Sequence, residues 1–251
     1  MQCIGIIPAR YDSTRFPGKP LALIGSKTMI RRVYEQTQKS KNLNKVFVAT
    51  DDKRIEAHVK EFGNVIMTSS DHKSGTERCA EVAEKMIEGN LISNNDAIIN
   101  IQGDEPFINP DQIDQLANIL QKPRVQIATL VKKIKYHDTL FNENIVKVIL
   151  SKSGKAIYFS RAAIPYCRST KKENWLKDNH YYQHVGIYGY KTDVLLEITK
   201  LPETTIEKAE ALEQLRWIFN EYDIHAGITN LDCYNVDTEN DIKNLPKNLY
   251  T

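Results

Sequence analysis

Across its first 125 residues the chain alternates short β-like runs with amphipathic helical stretches, and that rhythm admits few folds. The runs at 2–7, 45–50, 64–67 and 97–101 are rich in Ile, Val, Phe and Ala. Between them, residues 28–39 place Met29, Ile30, Val33, Tyr34 and Thr37 on one helical side, and residues 52–62 group Ile55, Val59 and Phe62. The strongest period lies in 74–88, where Cys79, Val82, Ala83, Met86 and Ile87 recur at i, i+3, i+4, i+7 and i+8. A further helix is expected over 111–120. Such alternation predicts an α/β fold built on a mostly parallel sheet with helices on both faces. Beyond residue 126 the rhythm loosens into expected strands at 127–134, 146–150, 184–190 and 224–228, with helices over 207–219 and from Thr238. The stripe of the first of these is Leu212, Leu215, Ile218 and Phe219. Residues 166–182, charged and aromatic, read as a surface excursion. The expected division is 1–125 and 126–251, the second part completing the sheet and carrying a smaller lobe within one compact unit.

Length and composition fit a soluble globular chain. The 251 residues are 41% hydrophobic and 26% charged, with a net charge of +2 from interspersed acids and bases. That balance argues against nucleic-acid partners and a membrane surface. No apolar stretch has the length to span a bilayer, and the N-terminus reads as a strand entering a loop rather than a secretion leader. Cys3, Cys79, Cys167 and Cys233 form no CxxC pair; Cys3 and Cys79 lie on apolar faces as small buried thiols. A cytoplasmic setting is expected.

The chemistry concentrates at strand ends. The first strand runs into Pro8-Ala9-Arg10-Tyr11-Asp12-Ser13-Thr14-Arg15-Phe16-Pro17-Gly18-Lys19-Pro20, a stiffened loop whose Arg10, Arg15 and Lys19 suit a polyphosphate at the sheet's carboxyl edge. It has neither the Walker spacing nor a G-x-G-x-x-G pattern, so P-loop and dinucleotide readings lose their support. Ser74-Gly75-Thr76-Glu77-Arg78 opens the strongest helix. Ser74 with Glu77 fits a capping box, while Gly75 and Arg78 equally suit an anion or base edge at a helix N-terminus. Gln102-Gly103-Asp104-Glu105-Pro106 follows the 97–101 run, and Asp104 is placed as a magnesium carboxylate beside phosphates. Near the C-terminus, Thr238 with Asp241 resembles a cap, and Asp237 is a second candidate carboxylate. His180 and His184, four apart, lack companions for a zinc site; His184 fits a sugar hydrogen bond better. Arg161 follows the apolar pair Tyr158-Phe159.

Taken in order, IIPARYDSTRFPGKP, VATDD, TSSDHKSGTER, INIQGDEPFI, YFSRAAIP, HVGIYGY, LEQLRW and VDTENDI resemble the 3-deoxy-manno-octulosonate (Kdo) cytidylyltransferases, or CMP-Kdo synthetases, over nearly the whole chain. The resemblance implies a Rossmann-like nucleotide-diphospho-sugar transferase fold, a homodimer, magnesium dependence, and conversion of CTP and Kdo to CMP-Kdo and pyrophosphate for lipopolysaccharide biosynthesis. By motif position it implies Arg10, Lys19 and Asp104 as catalytic. Pro8, Ala9, Gly75, Arg78 and Gln102 would surround the nucleotide, with Arg10, Lys19 and the helper Arg15 on its phosphates. Arg161, His184, Glu213 and Gln214 would bind the acid sugar, and Asp104 and Asp237 the metal. Other readings are a cytidylyltransferase for a related acid such as 8-amino-Kdo, a glycosyltransferase of this fold, and a non-catalytic sugar-nucleotide-binding module.

Overall fold

A computed structural model describes residues 1–12 and 16–250. Nine strands form one sheet: β1 Cys3–Pro8, β2 Lys45–Thr50, β3 Val65–Met67, β4 Ala97–Asn100, β5 Ile127–Lys133, β6 Lys147–Leu150, β7 Ala156–Ser160, β8 Tyr182–Lys191 and β9 Ile224–Thr229. The main path runs β9-β5-β8-β4-β1-β2-β3. Its pairings are parallel except where β8 runs antiparallel to both β5 and β4. The β6–β7 hairpin attaches to β8 through β6. This is the mostly parallel α/β sheet that the alternation predicts.

The early strands read as continuous apolar runs because both faces are covered. Cys3 and Ile7 of β1 and Ile99 of β4 pack with Ile30, Val33, Ile55, Val59, Ile113 and Leu116. These last belong to helices α1 Met29–Thr37, α2 Lys53–Lys60 and α4 Pro110–Leu120. The intervening residues Ile4, Ile6 and Ile98 point to the opposite face, against Cys79, Val82, Ala83 and Met86 of α3, Gly75–Glu88. That side is closed by Val194, Leu195 and Ile198 of the helix Thr192–Ile198. The period of two along each strand thus feeds two cores. Burial of the Cys3 thiol pushes its pKa up to about 12. No helix among the described residues is long and apolar enough to cross a membrane.

Three expectations change. The stretch 207–219 is two helices, Thr205–Glu210 and Gln214–Phe219, broken where Ala211 takes a left-handed conformation (φ 50°, ψ 52°). The break turns Leu212 and Leu215 into the core and leaves Phe219 61% exposed, outside the expected stripe. Residues 166–182 are more than a surface excursion, since Trp175 and Tyr181 build a satellite core with Ile134 and Leu140. Strand β7, unanticipated, pairs with β6 and carries Ser160 to the edge of the sugar-candidate residues.

The break makes a signed prediction. Within a continuous helix Ala211→Gly would cost about 0.5–1 kcal/mol. At this left-handed position it relieves a Cβ clash of roughly 1 kcal/mol. Chemical denaturation should therefore show the variant equal to or more stable than the parent; a clear loss of stability would contradict the break.

Candidate active site

Beyond the carboxyl ends of β1 and β4 lies a cavity of about 250 Å³ lined by Pro8, Ala9, Arg10, Lys19, Pro20, His72, Lys73, Ser74, Gly75, Arg78, Gln102, Gly103, Asp104 and Asp237. Three elements converge there: the turn after β1, the N-terminus of α3 and the turn after β4. They meet on Pro8, and only small residues fit against it. A Cβ on Gly103 would sit 2.7 Å from the Pro8 carbonyl oxygen, and one on Gly75 would sit 3.0 Å from the Pro8 ring.

At the polar end, the Lys19 ammonium donates to Asp104 Oδ2 at 2.8 Å and to the Val236 carbonyl at 3.1 Å. It lies 3.5 Å from Asp237 Oδ1. The C-terminal segment is pinned to the same place, since Val236 N–H donates to the Asp104 carbonyl at 2.9 Å. Thr238 and Asp241 form a reciprocal capping box, and Asp241 also accepts from the Asp237 N–H at 2.9 Å, which fixes that carboxylate's backbone. One cation thus bridges two carboxylates that are far apart in sequence. Arg10 stands exposed on the rim. Arg15 lies outside the described residues.

The family of this chain follows from full-length comparisons. A family model described as cytidylyltransferase matches residues 4–224. A 3-deoxy-manno-octulosonate cytidylyltransferase of Bacteroides thetaiotaomicron is 52% identical, over 97% of this chain and 96% of that protein. Its counterpart in Thermodesulfovibrio yellowstonii is 46% identical, over 100% and 99%. The chain belongs to the cytidylyltransferase family. A solved CMP:2-keto-3-deoxy-manno-octonic acid synthetase complexed with CTP superposes with a TM-score of 0.87 at 38% identity, covering 97% and 96% of the two chains. A 4-diphosphocytidyl-2C-methyl-D-erythritol synthase, 13% identical with a TM-score of 0.63, shares the fold.

In this cytidylyltransferase the α3 N-terminus departs from a simple cap. Ser74 Oγ accepts from Glu77 N–H at 3.2 Å, but the Glu77 carboxylate accepts from Lys73 N–H at 2.7 Å, one residue earlier than a capping box requires. Arg78, whose charge opposes the helix dipole, is offset from within the protein. It is buried and bonded to Asp51 at 3.2 Å, to the Ser69 carbonyl at 3.3 Å and to Thr68 Oγ1. Its contribution to the cavity is therefore a fixed wall rather than a mobile anion-binding arm. His72 was assigned no role by sequence, yet it lines the cavity with Nε2 2.5 Å from Glu81 Oε2. Lys73 and Ser74 also line a neighbouring polar cleft of about 430 Å³, to which Glu213 contributes.

The sugar-candidate residues lie around that side. Glu213 accepts from Ser74 Oγ at 3.0 Å and Thr76 Oγ1 at 2.6 Å, which ties it to the α3 N-terminus, and burial raises its pKa. Gln214 is buried at the start of the next helix. Arg161, at the end of β7, donates to the carbonyls of Glu210 and Ala211, just before Glu213. His184 on β8 shares a 2.9 Å hydrogen bond with Thr129 Oγ1 and packs between Phe159 and Tyr188. Desolvation pushes its pKa down to about 3. The ring is therefore neutral at working pH and offers a hydrogen bond, not a positive charge. The hydroxyl of Tyr188 and the side-chain carbonyl of Asn100 are buried without a hydrogen-bond partner among the described residues. No group of three or more His, Cys, Asp or Glu among the described residues could hold a metal ion.

Glu105, next to Asp104, is 1% exposed, and one of its carboxylate oxygens has no partner among the described residues. Burial, then the neighbouring Asp104 charge, raises its pKa from 4.5 to about 7. Between those values the folded chain holds a proton that the unfolded chain has released, so stability falls as pH rises through that window and levels off above it. Glu105→Gln should therefore stabilise the protein at pH 8, by an amount on the order of 1–3 kcal/mol, and leave it nearly unchanged at pH 4.5. Denaturation at the two pH values checks this; equal effects at both would contradict it. Gly103→Ala should weaken CTP binding at least about tenfold by driving the turn off Pro8, read by calorimetric titration against an unchanged circular dichroism spectrum.

Proposed function

We propose that the chain transfers the cytidylyl group of CTP to 3-deoxy-manno-octulosonate, giving CMP-Kdo and pyrophosphate for lipopolysaccharide assembly. The observation that carries this reading is the meeting of Arg10, Lys19, Asp104 and Asp237 at one cavity of the sheet's carboxyl edge. It is supported by overlap, over nearly the whole chain, with a synthetase complexed with CTP. Pro8, Ala9, Gly75, Arg78 and Gln102 form the nucleotide walls, with Arg10 and Lys19 toward the phosphates and Arg15 as a helper. Arg161, His184, Glu213 and Gln214 receive the acid sugar. Residues 1–125 carry the nucleotide half, and 126–251 the sugar-binding and dimerisation part. The working form is a cytoplasmic homodimer; Ile157 and Phe219, exposed on neighbouring elements, suit a contact surface.

Asp104 and Asp237 suit a divalent cation. Their oxygens are hard donors, and the Lys19 ammonium already lies between them as a cation would. Two carboxylates with substrate phosphates match the usual protein share of a magnesium site. When bound there, magnesium would neutralise phosphate charge and favour loss of the attacking hydroxyl's proton. The protein's own part is alignment. The C2 hydroxyl oxygen of Kdo forms the new bond to the α-phosphorus, and the hydroxyl proton passes to solvent water. The bond from that phosphorus to the α–β bridging oxygen breaks, so that the oxygen leaves with pyrophosphate. Arg10 and Lys19 hold the departing pyrophosphate in line, and Arg161 holds the sugar carboxylate.

Pyrophosphate release should require CTP among the common nucleotides and Kdo or its 8-amino analogue as acceptor. Release without an acid sugar, or transfer from a finished sugar nucleotide, would contradict the reading. Asp104→Ala should lower kcat by about 10²-fold or more with the melting transition retained. Wild-type-like turnover would remove Asp104 from the site.

A further inference from the structure

We infer that Lys147 and Glu210 are positioning residues that hold Arg161 from both sides of its backbone; the inference rests on the proposed acid-sugar role of Arg161. Lys147 opens β6 and is fully buried. Its ammonium donates to the carbonyls of Asn142 at 2.9 Å, Ile145 at 2.5 Å and Arg161. Three donors thus meet three main-chain acceptors, and no carboxylate among the described residues is in contact. Glu210 faces the other end of the same residue. It accepts from the Arg161 N–H at 2.9 Å and from Ser160 Oγ at 2.7 Å. A positive charge therefore sits on the Arg161 carbonyl and a negative charge on its N–H, each matched to the peptide dipole it meets. Charge-assisted bonds of this kind are stronger than neutral ones, and together they fix the direction in which the Arg161 side chain leaves the backbone.

The guanidinium shows what that direction serves. Its Nε donates to the Glu210 carbonyl at 2.7 Å, Nη1 to the Glu143 carbonyl at 3.2 Å and Nη2 to the Ala211 carbonyl at 3.3 Å. Among the described residues three of five N–H donors are thus engaged, all on neutral carbonyls, and no carboxylate contacts the guanidinium. The left-handed turn at Ala211 presents two of these carbonyls and leads directly into Glu213. A buried lysine is costly, and desolvation lowers the pKa of this one. What the ammonium organises is the 142–145 turn and the peptide after Arg161. An arginine held this way is pre-arranged for a carboxylate, so Lys147 and Glu210 act on the sugar through Arg161 without touching it.

The test is steady-state kinetics with CTP and Kdo on the full chain, for the parent, K147M, E210Q, R161A and the double variant K147M/R161A, alongside thermal melts. K147M and E210Q should each raise the KM for Kdo at least about tenfold while the KM for CTP stays within about twofold. The double variant should match R161A alone, because both act through one side chain. Multiplying effects in the double variant, an unchanged KM for Kdo, or equal rises for both substrates would overturn the inference. Should K147M fail to fold, E210Q keeps the buried ammonium in place and the same selective rise decides. No Kdo-dependent turnover in the parent overturns the proposed function together with this inference. Parent turnover with unaltered variants overturns the inference alone.

Discussion

The connections reverse direction at β1. After leaving β1 the chain adds β2 and then β3 on one side, and returns to place β4 on the other. The segments leaving the carboxyl ends of β1 and β4 therefore diverge, and a crevice opens between them. Lys19, Asp104 and Asp237 are arranged around that crevice. Pro8 wedges into it, Gly75 and Gly103 permit the approach of the α3 N-terminus and the β4 turn, and the loop carrying Lys19 closes the far side.

Charge at the crevice is balanced by a segment from the opposite end of the chain. Val236 is fully buried with Ile24, Met29, Phe107 and Leu245, and its two backbone groups bond Asp104 and Lys19. Phe107 stacks on Tyr250, and the Arg32 guanidinium lies over both rings. Asp237 thus reaches the cavity on a strap whose anchorage is apolar and aromatic, while its chemistry is ionic. The Lys19 ammonium between two carboxylates keeps like charges from repelling across the site.

The first half of the fold was legible in the sequence because its signals are local. The periods over 28–39 and 74–88 match α1 and α3 to within two residues at either end, and 45–50 matches β2 at both ends. The break at Ala211 was not legible. A left-handed alanine separates two helix-forming stretches, and its carbonyl and that of Glu210 accept from Arg161, fifty positions earlier. Arg78 shows the same limit: its first-turn position pointed equally to a ligand, but Asp51, just after β2, supplies the counter-charge. Cavity residues announced by strand-to-loop transitions, such as Arg10, Lys19 and Asp104, could be read directly. Asp237 was legible only as a possible second carboxylate beside a helix cap, and Glu213 and Gln214 came from family resemblance, because nothing in their own neighbourhoods marks them. His72 stood inside a recognised motif with no property that separated it from a surface histidine.

On the proposed function, the Lys19–Asp104–Asp237 cluster is the phosphate and cation end of a CTP site. A crystal structure of the chain with CTP and magnesium tests it most directly. Cytosine is expected between the Pro8–Ala9 turn, Gly75 and Gln102, with the ion on Asp104 and Asp237 and the Lys19 ammonium moved from both carboxylates onto phosphate oxygens. Nucleotide bound elsewhere, or bound here with the Lys19 bridge intact, would contradict it.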